Sequence, residues 1–372
     1  MEEILEATSP TKIKSPSTFD GIARQTLKRA RQGQLGVARQ LAEMVILKLV
    51  YGLGPGYYHS ARLWRSELPW SFKTGFWPYK KFRRFISTIN PPAYQKLSQN
   101  KLSEKAILSL VHLPTATFLG HLHHQYGLSR SGKKLNNAHQ LGELLMEHST
   151  TEKLCFKLVE GFGGQGFHAA QVIRDGDIRL RVLDSGEILT LHDVVEKVLQ
   201  VPKGQSYIIE EYVHQHPLLT ALNPSSVNTV RVWAACSEGE SWVIDAFLRV
   251  GRRGSLVDNT SRGAQIFRLD LVSGVIGEGM SKDIYNETYH CHADSGEQIS
   301  GRALPYWQDA LLLAQKAVMA FPCITFAGVD VAFSENGPVI IELNVEPDPT
   351  SAIIFDRCHE ELFSRFFKSH KR

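Results

Sequence analysis

The chain has 372 residues, 43% of them hydrophobic and 22% charged, the profile of a soluble globular protein with two or three subdomains rather than a peptide scaffold. Its formal net charge of +4 permits an acidic substrate or an anionic surface without demanding either. Five scattered cysteines (Cys155, Cys236, Cys291, Cys323, Cys358), odd in number and with no Cys-x-x-Cys pair, point to a reducing compartment and exclude a disulfide framework or zinc ribbon.

The first residues, MEEILEATSPTK, are acidic and polar, unlike a signal peptide, and the chain up to about residue 15 reads as a loose tail. From Asp20 to about Val50 the periodicity is helical, basic in its first part (Arg24, Lys28, Arg29, Arg31) and apolar in its second. Within it, Leu35 to Gly54 is interrupted by Arg39, Glu43 and Lys48. It falls short of the ~18 uncharged residues of a membrane span and reads as an amphipathic helix. A cytoplasmic location is expected. GLGPGYYHSARLW then breaks and restarts the chain. Phe72 to Phe85 interleaves aromatic and basic residues. It could be a nucleic-acid or membrane-surface patch, but a solvated helical face with inward-packed aromatics is the favoured reading.

A helix carrying Lys101 and Lys105 follows, running to Leu113, with Pro114 ending it before a short apolar strand. Nine short β-rich segments come next, at 154–160, 167–173, 178–183, 206–213, 229–236, 241–250, 264–271, 328–335 and 338–345. Turns such as Arg174-Asp175-Gly176 and Glu335-Asn336-Gly337 separate them, and helical patterns appear near 192–200 and 306–320. Mainly antiparallel strands with helices between them predict an α+β architecture.

Chemistry concentrates in four places. The stretch FKLVEGFGGQGFHAAQV, 156–172, places Lys157 before Gly161, Gly163, Gly164 and Gly166, which suits either a phosphate cradle or a tight hairpin. Near the C-terminus, Asp330 lies on one predicted strand and Glu342 and Asn344 on the next. If the two pair, three oxygen donors converge in apolar surroundings, where a hard cation would neutralise them; the alternative is an outward-facing acidic edge. The segment Glu210-Glu211-Tyr212-Val213 leaves an apolar strand and could hold a flat heterocycle, or be an ordinary strand end. Lastly, Asn228 and Arg231 open an apolar strand, and Arg249, Arg252, Arg253, Asp258, Asn259 and Gly263 follow in a loop-rich stretch that would suit an anion. The clusters HLHH at 121–124 and HCH at 290–292 lack a matching partner set for zinc. No P-loop, serine-hydrolase elbow or cysteine-protease signature is present.

In this order, the phrases GFGGQGF, EEYVHQHP, PSSVNTVRV, VDNTSRGA and GVDVA…IIELNVEPD resemble the sugar-transfer-associated family of the ATP-grasp superfamily, from about Tyr57 to the C-terminus. The resemblance implies an ATP-grasp fold, two α+β subdomains gripping ATP, after a mainly helical N-terminal region. Residues 1–95 would form that region and 96–372 the ATP-grasp domain, with a glycine-loop subdomain at about 150–212 and a metal-binding subdomain at 213–372. It implies a flap in which Gly163, Gly164 and Gly166 close on the phosphates, with Lys157 at the α-phosphate and Lys101 or Lys105 as the earlier nucleotide lysine. Glu210 would meet the adenine amine, with Glu211, Tyr212 and Val213 along the ring. Asp330, Glu342 and Asn344 would hold Mg²⁺ (or Mn²⁺), Arg231 would steady the transferring phosphate, and Arg249 or Arg253 the carboxylate. The implied reaction joins a small-molecule carboxylate, activated as an acyl phosphate, to an amine, thiol or sugar-linked acceptor in exopolysaccharide or cell-surface sugar biosynthesis. A kinase-like phosphotransferase and a nucleotide-binding protein without ligase activity are the alternatives. No nucleic-acid partner is expected, and peripheral membrane contact is allowed. Two features depart from the family pattern: the helical first hundred residues, and Gln165 inside the glycine loop.

Overall fold

The computed structural model describes residues 19–161 and 163–369; the polar tail expected up to residue 15 lies outside the described residues. Seven helices come first: α1 Phe19–Arg31, α2 Val37–Tyr51, α3 Pro55–Ser60, α4 Trp70–Thr74, α5 Tyr79–Ile89, α6 Pro92–Gln99 and α7 Lys101–Leu110. The single helical stretch expected from Asp20 to Val50 is divided in two, because Gly33 adopts a left-handed φ of 81° after α1. In the aromatic-basic segment, Phe76, Trp77 and Phe82 are buried while Lys80, Lys81, Arg83 and Arg84 face solvent. Trp77 stacks on His359 and Phe363, so most of the aromatics are core and the cations from Lys80 to Arg84 form the wet face, while Lys73 is buried and Tyr79 exposed.

Two seven-stranded antiparallel sheets follow. The first contains β1 Phe118–Leu122, β2 Leu128–Ser129, β3 Lys153–Leu158, β4 His168–Ile173, β5 Arg179–Val182, β6 Ile188–Thr190 and β7 Tyr207–Glu211, in the order β2-β1-β7-β3-β4-β5-β6. It packs on α8 Ala138–Glu147 and on the short α9 Leu191–Asp193, which runs into a π-turn at Val194–Val198. After α10 Pro217–Leu222, the second sheet contains β8 Thr229–Ser237, β9 Glu240–Val250, β10 Gln265–Leu269, β11 Ile276–Met280, β12 Thr288–Tyr289, β13 Phe326–Ser334 and β14 Gly337–Asn344. Its order is β12-β11-β10-β9-β8-β13-β14, with α11 Trp307–Ala320 preceding β13. Three short helices, α12 Ser351–Phe355, α13 His359–Leu362 and α14 Ser364–Ser369, close the described chain. All nine β-rich segments are strands, and the α+β class with a helical N-terminal region stands. The short strands β2, β6, β11 and β12, and α8, escaped the pattern.

Alternation across the second sheet creates two different faces. Val230, Val232 and Leu248 point to one side, where Ala314 and Val318 of α11 complete a core. Trp233, Phe247 and Phe326 point to the other, against Phe82, Ile353 and Phe363. The N-terminal and C-terminal helices thus share one apolar cluster. Among the described residues, no helix is long and apolar enough to cross a membrane.

Candidate active site

The first sheet and α7 contribute lysines. On β3, Leu154 and Phe156 enter the core, so Cys155 and Lys157 take the other face. On the paired β7, Glu210 stands opposite Cys155 and shares that face. Its carboxylate is fully buried and paired with Lys157 (2.7 Å) and with Lys105 of α7. Burial pushes the Glu210 pKa up, but the two ammoniums outweigh it and leave the group below the usual carboxylate range. Lys105 also donates to the Ala116 carbonyl at 3.3 Å. Lys101 is differently placed. It opens α7, whose first turn is capped by the Asn100 side chain, and its Nζ donates to the Gly161 carbonyl at 3.2 Å. Of the two lysines left open by sequence, Lys101 lines the cleft and Lys105 is committed to Glu210.

The glycine loop is the β3–β4 hairpin, and it touches the other sheet. Gly163, Gly164 and Gly166 have φ of 60°, 75° and 65°. A Cβ on Gly164 would stand 3.2 Å from Val257, and one on Gly163 3.3 Å from the Asn259 amide. Side chains there would be strained and would push against the 251–264 loop. The hairpin therefore bridges the two sheets over the cleft.

The second sheet contributes a chain of charges. Arg231 on β8 and Asp330 on β13 are direct neighbours in the ladder, and the arginine grips both carboxylate oxygens, with Nη2 to Oδ2 at 2.8 Å. Arg249 on β9 reaches the same carboxylate at 2.8 Å and donates to the Thr229 hydroxyl at 2.6 Å. Thr229 donates its N–H (2.8 Å) and its hydroxyl to Asp258. Burial alone would raise the Asp330 pKa; the two guanidiniums hold it below the usual range. Asp258 goes the other way, because burial outweighs Arg249 and Thr229.

Asp330 faces Glu342 across the β13–β14 hairpin, and Gly328 faces Asn344. Between these pairs and Val331↔Ile340 the register shifts, leaving Ile341 as an extra residue on β14. Without that bulge, Ile340 and Glu342 would share a face. With it, Ile340 is fully buried in the core while Glu342 turns to the site. The Asn344 amide donates to Glu342 at 3.2 Å. Glu342, the Asn344 carbonyl and Asp330 are hard oxygen donors, a set that suits Mg²⁺ or Mn²⁺ completing its shell from phosphate and water. Asp330 is the least available donor, both its oxygens being held by arginines.

These groups meet in one cleft. Lys157, Gly163 and Gly164 line it from the first sheet, Lys101 from the start of α7, and Arg249, Asp330 and Glu342 from the second sheet, with apolar walls from Leu158, Phe167, Val227 and Ile341. Glu211, Tyr212 and Val213, where the chain leaves β7 for the second sheet, line it as well. Arg231, Glu210, Lys105 and Gly166 stand behind these groups. Asn344 lines an adjoining pocket with Tyr79, Arg83 and Glu346, which shares Lys101, Gly161 and Glu342 with the cleft. Arg253 is exposed on the 251–264 loop, where its backbone N–H bonds Asp294 at 2.8 Å. Asn228 is scaffold, bonding Gln215, the Leu219 and Asn223 carbonyls and the Gly251 N–H. Sequence reasoning missed Thr229, although its position two residues before Arg231 on one strand face could have revealed it.

A comparison with curated protein sequences finds no match. Among solved structures, N5-carboxyaminoimidazole synthase from Aspergillus clavatus is 13% identical over 78% of this chain and 58% of that one, with a TM-score of 0.41. Biotin carboxylase from Campylobacter jejuni is 12% identical over 80% and 52%, TM-score 0.44. D-alanyl-alanine synthetase A from Vibrio cholerae is 11% identical over 73% and 64%, TM-score 0.40. The chain thus spans between about half and two thirds of each of these proteins. Residues 80–359 match the family described as sugar-transfer associated ATP-grasp, which takes in the glycine hairpin, Lys101 and Lys105 of α7, Lys157 of β3 and the whole Arg231–Asp330–Glu342 array. The chain belongs to the sugar-transfer associated ATP-grasp family.

Proposed function

We propose that this chain is an ATP-dependent ligase that activates a small-molecule carboxylate as an acyl phosphate and joins it to an amine or thiol, with residues 96–372 as the ATP-grasp unit. The observation that carries the reading is one cleft in which Lys157 of the first sheet and Lys101 of α7 face carboxylates and a guanidinium from the second sheet, beneath a glycine hairpin. The adenine ring would lie between Leu158, Phe167, Val227 and Ile341, along the backbone of residues 211–213. Lys101, Lys157 and the N–H groups of the hairpin would hold the phosphates. A substrate carboxylate oxygen attacks the γ-phosphorus as the bond to the ADP oxygen breaks; the acceptor nitrogen or sulfur then attacks the acyl carbon and phosphate leaves. Arg249, with Arg231 behind it, stabilises charge on the phosphoryl group in flight, and closure of the hairpin excludes water. Glu342, Asn344 and Asp330 would hold Mg²⁺, which when bound lowers the negative charge that the attacking carboxylate meets. No side-chain nucleophile is needed for this chemistry.

The family description suggests a setting in sugar transfer, which would accommodate cell-surface sugar biosynthesis, and the five unpaired cysteines suit a reducing cytoplasm. The test is ADP release from Mg-ATP with pooled amino acids and sugar acids plus hydroxylamine, read by mass. A hydroxamate confirms the acyl phosphate and names the carboxylate. ADP release with a phosphorylated product and no hydroxamate would replace the ligase with a phosphotransferase.

A further inference from the structure

The outer face of α2 is not explained by the packing of the molecule. Its inward side carries Gln40, Glu43, Met44 and Leu47, all buried and half of them polar. Gln40 donates to the Thr26 and Leu35 carbonyls, and Glu43 accepts from Lys73 at 2.7 Å and Tyr58 at 3.1 Å. The solvent side is the apolar one. Leu41, Val45 and Leu49, four residues apart, form a row that is 51%, 56% and 79% exposed, and Ile46 and Val50 widen it. Helix α1 packs against α2 through a five-residue link and adds exposed Phe19 and Leu27.

Cations border this surface. Arg24, Lys28 and Arg31 on α1 and Arg39 and Lys48 on α2 are exposed, while Asp20 is the one exposed acid on the two helices. A contiguous apolar face of this extent on a helix marks an interaction site. An apolar row flanked by lysine and arginine suits the boundary between acyl chains and anionic headgroups, where the row is buried and each cation near the surface adds attraction. A second copy fits less well: apposing two such faces would bring both sets of cations together with almost no carboxylate between them. Since neither helix is long and apolar enough to cross a bilayer, the geometry is that of a pair lying on one.

We propose that the α1–α2 pair is a docking surface for an anionic lipid bilayer, with the Leu41–Val45–Leu49 row entering the interface and the flanking lysines and arginines meeting headgroup phosphates. The full chain should sediment with vesicles containing phosphatidylglycerol, less with pure phosphatidylcholine, and less again as salt rises. Val45→Glu combined with Leu49→Glu should reduce partitioning about tenfold or more, and Lys28→Glu with Arg31→Glu should remove the preference for anionic vesicles. Unchanged far-UV dichroism and melting would show that these exposed changes leave the fold intact. Failure of the wild type to bind either vesicle, or undiminished binding by the α2 double variant, overturns the proposal. A wild-type dimer dissolved by the same α2 variant, with no vesicle binding, overturns it in favour of a second copy as the occupant.

Discussion

Arg231 passes directly over Gly328: a Cβ on that glycine would stand 2.8 Å from the arginine Cδ and 3.0 Å from Pro347 Cβ. The missing side chain leaves the space through which the guanidinium reaches Asp330. Gly328→Ala should push Arg231 off the carboxylate, because Pro347 closes the other way out. ATP turnover should fall about tenfold or more, with a stability loss of ~1–3 kcal/mol. Steady-state turnover and a urea melt check both, and turnover equal to wild type would show that Arg231 can reach its place by another path.

Glu210 is the carboxylate that pairs with both Lys105, which is buried, and Lys157, which lines the cleft. Glu210→Gln removes one charge and strands two, so the expected loss is ~3–5 kcal/mol at neutral pH. The folded-state pKa of Glu210 lies below its ordinary value. Its contribution is therefore present above the ordinary carboxylate range and lost as pH falls through the lower, folded value. Denaturant midpoints should differ most between wild type and variant near pH 7 and converge in strong acid. Equal midpoints at pH 7 would mean that the lysines do not depend on Glu210.

Glu104 gives the opposite pH signature. It is buried on α7, accepts the Leu343 N–H at 2.9 Å, and has its pKa pushed up from 4.5 to about 8 by burial, with Glu342 adding to the effect. Between those two values the folded chain holds a proton that the unfolded chain has released, so stability falls as pH rises and levels off above about 8. Glu104→Gln keeps an acceptor for Leu343 and cannot ionise. It should remove most of that slope and be more stable than wild type at pH 9, by roughly 2–4 kcal/mol. Urea melts at pH 6 and pH 9 decide it; a wild-type slope retained in the variant places the titration elsewhere.

How far the sequence could be read depended on whether a signal was local. The nine strands were legible because each is a short β-branched or aromatic run bounded by turn residues. The hairpin joining Asp330 to Glu342 and Asn344 was legible from the two-residue spacing and the Asn-Gly turn. The bulge at Ile341 was not, because strict alternation says nothing about which residue is extra. Lys101 and Lys105 could not be told apart, since one helical turn separates them and their difference lies in Glu210, more than a hundred residues away. The amphipathic character of α2 was legible, but not which side faces the protein; Glu43 and Lys73 pairing inside it turned the apolar side outward, a tertiary effect with no local trace.

The three oxygen donors assigned to Mg²⁺ should not respond alike to mutation. Asp330 is 1% exposed and carries two guanidiniums, whereas Glu342 is partly open to the cleft and its one hydrogen bond comes from Asn344. Asp330→Asn leaves Arg231 and Arg249 side by side without their shared anion, so it should cost ~3–5 kcal/mol of stability as well as turnover. Glu342→Gln removes a charge that forms no direct ion pair and acts on Arg249 and Lys157 only as a lesser contribution beside their own partners. Its melting curve should stay close to wild type while the Mg²⁺ concentration for half-maximal turnover rises about tenfold or more. Read together, melting and Mg²⁺ titration separate a carboxylate that holds the arginines in place from one that meets the metal. A Glu342→Gln enzyme with the wild-type Mg²⁺ requirement would move the metal away from β14, and an Asp330→Asn protein as stable as wild type would mean that the arginines do not need their anion.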